Sequence, residues 1–149
     1  MNQLHYRNIL VAFDGSEEAE WAVKKGIAIA TQTEATLVLA HVIDARNFPT
    51  VESYDLTLRE RAEREANDLM GKYELEAEKA GVHNVVTAIE VGSPKTKIPR
   101  DLAKEYHIDL IVCGATGLNA VERFLIGSVS EGIVRHSHCD VLVVRTQDE

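Results

Sequence analysis

The chain has 149 residues, of which 45% are hydrophobic and 27% charged, a composition typical of one globular domain. Its formal net charge of −8, with no cluster of lysine or arginine, argues against a broad surface for nucleic acid or anionic membranes. No stretch reaches the ~18 apolar residues that span a bilayer, and the N-terminus lacks a signal-peptide core. We therefore expect a single cytoplasmic domain over residues 1–149, without a nucleic-acid or membrane partner.

Five runs rich in valine, isoleucine and leucine show little alternation with polar residues, which is typical of strands covered on both faces. They are NILVAF (8–13), ATLVLAHVI (35–43), NVVTAIEV (84–91), DLIVCG (109–114) and DVLVVR (140–145). Apolar residues at three- and four-residue spacing between these runs predict four helices. The first helix follows Ser16, the second covers 62–80, the third carries Ile98, Leu102 and Tyr106, and the fourth carries Ile126, Val129 and Ile133.

Strands that alternate with helices predict right-handed crossovers and a parallel sheet. We therefore expect a five-stranded doubly wound α/β domain with helices on both faces. For its arrangement we expect the Rossmann-like class with strand order 3-2-1-4-5. The stretch 44–55 is predicted to be a long loop, either a lid over a site or a simple excursion. Pro99 falls within the first turn of the third helix and leaves the start of that helix open.

Three glycines, Gly114, Gly117 and Gly127, follow the fourth predicted strand at fixed offsets. Glycine tolerates positive φ and admits a ligand close to the backbone, so Gly114 and Gly117 are expected to direct N–H groups toward one anion. Gly127 and Ser128 would then open the fourth helix, whose first amides carry the positive end of the helix dipole. Because ligands of parallel sheets bind beyond the carboxyl ends of the strands, the pattern predicts a polyphosphate site.

Two better-known phosphate motifs are excluded. The Walker A motif needs a lysine before its serine or threonine, whereas Ser128 directly follows a glycine. The dinucleotide fingerprint belongs at the first turn from strand to helix, and that turn has the sequence FDGSEEAE. Its acidic residues Glu17, Glu18 and Glu20 suit the helix dipole but would repel a phosphate. The predicted anion site therefore belongs to the fourth helix.

The glycine pattern G-x2-G-x9-G-[S/T] is matched in full by Gly114, Gly117, Gly127 and Ser128. With this pattern the chain resembles the nucleotide-binding branch of the universal stress protein family. The resemblance covers essentially the whole chain and includes the segments VAFDGS, AHVID and CDVLVVR.

The resemblance implies that an adenine nucleotide is held between the ends of strands one, two and four. The nucleotide would be ATP, with AMP and ADP as alternatives, and Asp14 would lie near its ribose or phosphates. A carboxylate at that place either hydrogen-bonds sugar hydroxyls or is joined to the phosphates by a Mg²⁺ ion. Ala12 and Val42 would line the adenine pocket through their backbones. The residues that the resemblance assigns to the nucleotide are Ala12, Phe13, Asp14, Val42, Gly114, Thr116, Gly117, Gly127, Ser128, Val129 and Ser130.

The resemblance also implies a homodimer that forms by antiparallel pairing of the last strand, residues 140–145. An apolar edge such as VLVVR needs protection in a lone monomer, which gives the pairing a physical reason. Where the family commonly has Cys-Pro-Val, this chain has Cys139, Asp140 and Val141. Asp140 restores an N–H donor and adds a charge, so the geometry of the edge is expected to differ.

Some of the assigned residues also have simpler structural explanations. Ser128 and Glu131 form the pattern of a capping box, in which Ser128 caps the fourth helix. Asp14 and Ser16 fit a turn followed by an N-cap serine. For Asp14 we expect a ligand contact in addition to the turn, and for Ser16 the cap alone.

Other polar side chains are assigned to structure. Cys113 and Cys139 lack CxxC spacing and are expected to be reduced, buried thiols. His136 and His138 have no further metal ligands nearby in the sequence, so they are assigned to the helix dipole and solvent.

The function expected from these residues is a regulatory ATP-binding module of the stress response. Asp14 is the only evident acid or base near the phosphates, so the sequence offers no convincing catalytic set. Two alternatives stay open: a slow ATPase, and a dimerisation or scaffold protein that acts without nucleotide. The intact glycine pattern speaks against the scaffold.

Overall fold

The protein forms one five-stranded sheet with helices on both faces in a computed structural model that describes residues 5–47, 52–116 and 126–146. The strands are β1 (Asn8–Ala12), β2 (Thr36–Asp44), β3 (Val85–Gly92), β4 (Leu110–Gly114) and β5 (Asp140–Val144). The helices are α1 (Glu17–Thr33), α2 (Glu52–Ala80), α3 and α4 (Ser128–His136), where α3 is a continuous helical segment made of Pro94–Thr96, Lys97–Leu102 and Ala103–Glu105.

The sheet order is β3-β2-β1-β4-β5 and every pair is parallel. The predicted fold class and strand order are therefore confirmed, and each predicted strand agrees with the structure to within one residue at either end. In the central register Ala12 lies opposite Ala40 on β2 and Cys113 on β4. The carboxyl ends of β1, β2 and β4 consequently meet at one edge of the sheet.

The sheet is buried on both faces, as the continuous apolar runs predicted. Ile9 and Val11 of β1 point into a core shared with α1 and α2, and Leu10 and Ala12 point into a second core shared with α3 and α4. Ile9, Leu10 and Val11 are all 0% exposed, so β1 is the centre of both cores. None of the helices within the described ranges combines the length and hydrophobicity needed to cross a bilayer.

The predicted loop at 44–55 is shorter than expected. β2 continues to Asp44, a 3-10 turn covers Ala45–Asn47, and α2 begins at Glu52. The end of the predicted loop is therefore helical, because apolar periodicity marks only the part of α2 that packs on the sheet. Residues 48–51 lie outside the described part of the chain, and the interpretation of this stretch as a lid rests on them.

The third helix begins at Pro94 and contains a π-helical turn over Lys97–Leu102. Pro99 has no N–H to donate, and the wider turn accommodates it without breaking the segment. Pro99 is buried together with Ile98 and Leu102. The helix ends at Glu105, so the prediction that Tyr106 belongs to it is wrong by one residue; Tyr106 is its C-cap.

The fourth helix begins later than its apolar pattern predicts. Gly127 is the N-cap and Ser128 the first helical residue, so Ile126 lies before the helix and is 46% exposed. The predicted capping box is wrong. The N–H of Glu131 donates to the carbonyl of Gly127 at 2.9 Å, and the carboxylate of Glu131 pairs with Arg135 instead of reaching back.

Candidate functional site

A cavity of about 560 Å³ opens where the carboxyl ends of β1, β2 and β4 meet. The structure brings ten of the eleven predicted site residues to its wall, and Gly117 lies outside the described part of the chain. The ten are Ala12, Phe13, Asp14, Val42, Gly114, Thr116, Gly127, Ser128, Val129 and Ser130. Their contact with a ligand stays a prediction. Polar or charged wall residues that the sequence pattern did not reveal are His41, Asp44, Arg46 and Glu65.

Asp14 follows β1 directly and forms a tight turn. Its Oδ1 accepts a 3.0 Å hydrogen bond from the N–H of Ser16, and Gly15 between them adopts φ 92°. Ser16 in turn caps α1 by accepting a 3.2 Å hydrogen bond from the N–H of Ala19. The predicted turn and cap are thus confirmed. The second carboxylate oxygen of Asp14 has no hydrogen-bond partner among the described residues, so it is available to a ligand.

The backbone of Phe13, the residue before Asp14, is hydrogen-bonded to β2 through both its N–H and its carbonyl. The N–H of Phe13 donates to the carbonyl of Ala40 at 3.1 Å, and Nδ1 of His41 donates to the carbonyl of Phe13 at 2.7 Å. Because a carbonyl only accepts, Nδ1 of His41 carries the proton. The ring of Phe13 also packs edge-on against Tyr73, with centroids 5.0 Å apart. These contacts fix the position of Asp14. In the sequence, the role of His41 is indicated only by the presence of an imidazole in a largely apolar strand.

Ala115 closes the base of the connection between β4 and α4. Its carbonyl accepts 2.7 Å hydrogen bonds both from the N–H of Gly127 and from the hydroxyl of Ser130. Its N–H continues the sheet by donating to the carbonyl of Val144 at 2.8 Å. The N–H of Gly127 is therefore used within the protein and is not part of an anion cradle in this structure.

Glycine is needed at position 114 for close packing and not for an unusual backbone angle. A Cβ on Gly114 would lie 2.9 Å from the carbonyl carbon of Glu18 and 3.0 Å from the nitrogen of Ala19. The glycines with positive φ in the described part of the chain are Gly15 and Gly81. Gly114 therefore does not use positive φ, and its lack of a side chain is required for the packing of α1 on β4. The contact of its backbone with a ligand stays a prediction.

Thr116 is satisfied by an acidic residue of α1. Its N–H donates to Oε1 of Glu18 at 2.8 Å, and its hydroxyl donates to the same oxygen. The N–H and hydroxyl donors of Thr116 are therefore occupied within the protein, and its contact with the nucleotide stays a prediction.

With the donors of Gly127 and Thr116 used within the protein, the hydrogen-bond donors for an anion come from the first turn of α4. The first N–H groups of a helix have no partner within the helix, and at Ser128, Val129 and Ser130 these groups lie on residues of the cavity wall. They also carry the positive end of the helix dipole, so this corner of the cavity is suited to an anion.

The charged residues of the described wall are mostly acidic. Asp14, Asp44 and Glu65 contribute carboxylates, and Arg46 contributes the guanidinium. Arg46 Nη2 lies 2.7 Å from Oδ2 of Asp44, and this bond holds the pKa of Asp44 below its usual value. Arg123, for which the sequence leaves a phosphate contact and simple solvation equally open, lies outside the described part of the chain. A highly charged anion would need a cation of its own against this wall.

The thiols and histidines near this region have structural contacts. Cys113 is free and buried, and its burial raises the pKa of the thiol to about 12. Cys139 is also free but only half-buried, so the prediction of two buried thiols is wrong for Cys139. Nδ1 of His136 accepts a 3.0 Å hydrogen bond from Arg100 of α3, which places His136 in the contact between α3 and α4.

An open, wholly parallel α/β sheet with a cavity at the point where the strand order reverses defines a class of ligand-binding domains. Within that class the chain belongs to the universal stress protein family, because the family model matches residues 5–145. The family resemblance drawn from the sequence is thereby confirmed, and membership of the nucleotide-binding branch stays a prediction.

Three individual similarities agree with the family assignment. SH1215 of Staphylococcus haemolyticus, a protein named for this family, is 51% identical over 145 residues, which cover 97% of this chain and 88% of the relative. The solved universal stress protein UspA from Lactobacillus plantarum is 34% identical, with a TM-score of 0.85 over 96% of this chain and 100% of that one. A universal stress protein solved in complex with cAMP is 27% identical, with a TM-score of 0.72 over 97% and 100% of the two chains.

Proposed function

We propose that the protein is a regulatory module that binds an adenine nucleotide, in the first place ATP, and acts in the stress response. The observation that carries the proposal is that Ser128, Val129 and Ser130, which form the first turn of α4, line the cavity. The first N–H groups of a helix have no partner within the helix. The similar protein solved with cAMP supports an adenine nucleotide as the class of ligand. The two free cysteines are in keeping with a reducing compartment, and we place the protein in the cytoplasm.

The nucleotide has a natural orientation in this cavity. Its phosphates belong at the first turn of α4, where the dipole is favourable, and its base belongs near Ala12 and Val42, which are 7% exposed each and offer an apolar wall. Asp14 also lines the cavity, with a second carboxylate oxygen that has no hydrogen-bond partner among the described residues. It is suited to a sugar hydroxyl or to a Mg²⁺ ion that bridges to the phosphates.

Magnesium follows from the charge of the cavity. The described wall carries three carboxylates, and its guanidinium is paired with one of them. A triphosphate would therefore meet net repulsion unless a divalent cation accompanied it. We propose that ATP binds with Mg²⁺ and that Asp14 is the protein ligand of the ion.

Calorimetry on two variants of Ser128 tests the anion site. Proline is well tolerated at the first helical position, and Gly127 before it is extended at ψ 166°, as a residue preceding proline should be. Ser128→Pro removes the N–H and the hydroxyl, whereas Ser128→Ala removes the hydroxyl alone. We expect Ser128→Pro to bind Mg·ATP about tenfold or more weakly than Ser128→Ala, since hydrogen bonds to charged groups are worth about 1.5–3 kcal/mol.

Equal affinities of the two folded variants would contradict the role of α4. Absence of saturable binding by the nucleotide-stripped parent would contradict the function itself and favour the scaffold alternative. Analysis of the same samples for ADP tests the slow ATPase, whose product would accumulate with time and disappear in Asp14→Asn.

The metal is tested by comparing ATP titrations with Mg²⁺ and with EDTA. Asp14→Asn keeps an oxygen that can accept from the N–H of Ser16, so the turn is preserved while the charge is lost. We expect the parent to bind ATP more weakly in EDTA and the variant to respond little to Mg²⁺. A parent with equal affinity in both buffers would remove the metal from the proposal.

A homodimer through β5 is the second part of the proposal. β5 pairs with β4 on one side, and no strand within the described ranges pairs with its other side. Val141, Leu142 and Val143 are only partly buried, so a second copy of β5 would cover apolar surface as well as unpaired backbone groups.

The orientation of the backbone provides a specific test of the dimer. The carbonyl of Val144 points to β4, where it accepts from Ala115, so the backbone groups of Val143 point to the open edge. Val143→Pro removes an edge donor without removing a bond to β4, and Val143→Ala controls for the lost side chain. Sedimentation should show dimers of the parent and of Val143→Ala but monomers of Val143→Pro. A monomeric parent, or a dimeric proline variant, would contradict pairing through this edge.

A further inference from the structure

The acidic first turn of α1 makes an unexpected contact with the wall of the cavity. Oε1 of Glu18 accepts from the N–H of Thr116 at 2.8 Å and from the hydroxyl of the same residue. Oε2 of Glu18 lies 3.4 Å from the N–H of Thr146, the second residue beyond β5. One carboxylate thus contacts the chain just after β4 and just after β5.

Glu18 contacts Thr116 from outside the cavity. Thr116 lines the cavity and Glu18 does not, so the donors of Thr116 are directed toward α1. The backbone of Glu18 is itself held against β4, because a Cβ on Gly114 would lie 2.9 Å from its carbonyl carbon. The close backbone contact with β4 therefore fixes the position from which the Glu18 carboxylate reaches Thr116. Thr116 follows the end of β4 by two residues and begins the connection to α4.

We propose that Glu18 is a positioning residue for the ligand cavity. By satisfying the backbone and the hydroxyl of Thr116, it sets the direction in which the chain departs from β4 and keeps these donors off the ligand. Hydrogen bonds from neutral donors to a carboxylate are stronger than those between neutral groups. Two such bonds can therefore hold the backbone and side chain of Thr116 in one position. The consequence for ligand binding rests on the proposed function, whereas the contact itself does not.

The proposal has a clear rival. A carboxylate on Thr116 could instead be a competitor, which the phosphates of the ligand must displace before they bind. Removal of Glu18 would weaken ligand binding if the residue positions Thr116, and would strengthen it if the residue competes. The absence of Glu18 from the cavity wall favours positioning.

Glu17 provides a matched control. It also lies in the first turn of α1 and is exposed, and it has no hydrogen bond to Thr116. Glu17→Ala and Glu18→Ala each remove one carboxylate from the same helix end, so their effects on the dipole and on general repulsion are similar. We expect Glu18→Ala to bind Mg·ATP about tenfold more weakly than Glu17→Ala, in proportion to the loss of charge-assisted hydrogen bonds. Higher affinity of Glu18→Ala than of Glu17→Ala would overturn positioning in favour of competition.

Amide hydrogen exchange of Thr116 without nucleotide tests the contact separately. We expect exchange to accelerate about tenfold or more in Glu18→Ala and to stay at the parental rate in Glu17→Ala. Glu18→Gln keeps an oxygen acceptor and should restore part of the protection. Parental exchange of Thr116 in folded Glu18→Ala would overturn the proposal. A parent that binds no nucleotide would overturn the proposed function, and exchange at Thr116 would then decide the contact by itself.

Discussion

Gly114 and Glu18 are in backbone contact, so close that a Cβ on the glycine would lie 2.9 Å from the carbonyl carbon of Glu18. The first turn of α1 and the end of β4 therefore approach each other at a distance that only glycine permits. Gly114 belongs to the glycine pattern that marks the ligand site, yet its own contact is structural. A variant at this position changes the scaffold of the cavity together with any effect on a ligand.

Gly114→Ala should destabilise the protein by about 1–3 kcal/mol, the usual cost of forcing an extra methyl group into packed backbone. Urea unfolding followed by circular dichroism measures the change. Gly71→Ala is the control, because Gly71 lies within α2 and a Cβ there would meet nothing within 4 Å. It should be stabilising by about 0.5–1 kcal/mol. Equal stability of the Gly114 variant and the parent would contradict the close contact.

Tyr6 and Asp140 should be energetically coupled. The hydroxyl of Tyr6 donates a 2.7 Å hydrogen bond to Oδ2 of Asp140, the residue that stands where the family commonly has proline. This bond ties the segment before β1 to the start of β5. A double-mutant cycle of Tyr6→Phe and Asp140→Ala, each of which removes the bond, should give a coupling of about 0.5–1 kcal/mol in the free energy of unfolding. Strictly additive effects would show that the bond contributes nothing in solution.

Tyr73 should make the protein sensitive to alkali. Its side chain is 2% exposed, and burial raises its pKa from 10.0 to about 12. The folded state thus holds the phenolic proton more tightly than the unfolded state. The resulting stability is fully present below pH 10 and is lost as pH rises toward 12.

Urea unfolding at pH 9 and pH 11 checks this effect. Tyr73→Phe should lose about 1 kcal/mol less stability than the parent between these two values, since one unit of pKa corresponds to about 1.4 kcal/mol. The phenylalanine is a close steric match, so the two proteins should be similar at pH 9. An equal loss in both proteins would mean that Tyr73 ionises as readily in the folded state as in the unfolded one.

Cys113 should be unreactive although it lies at the cavity. Its side chain is buried and its pKa is raised to about 12, so the reactive thiolate is scarce at neutral pH. In Cys139→Ala, which leaves Cys113 as the single thiol, alkylation by iodoacetamide should be at least about 100-fold slower than that of a free cysteine until urea unfolds the protein. Rapid labelling of the native variant would show that the strand end opens to solvent.

The fold follows closely from the sequence because its signals are local. Continuous apolar runs with little polar alternation mark strands such as β1, and burial on both faces leaves them few alternatives. The order of the strands then follows from crossover handedness together with the family pattern. The edges of helices were less predictable, since Ile126 is apolar but lies in the exposed turn before α4.

The location of the site could be predicted from the sequence, whereas several of its hydrogen bonds could not. A glycine pattern after a parallel strand indicates the correct corner of the sheet, and Gly114, Gly127 and Ser128 of that pattern line one cavity. The sequence could not reveal that Thr116 is bound to Glu18, because the two residues are 98 positions apart. The same limit applies to His41, whose bond to Phe13 depends on the register between β1 and β2.

The carbonyl of Ala115, which accepts from both Gly127 and Ser130, has a consequence for how this cavity can evolve. The start of α4 is thus held beside the end of β4 by two hydrogen bonds to a single atom. Loop closure costs little more as a loop grows. Changes in the length of that connection can therefore be accommodated while the first turn of α4 keeps its place beside β4.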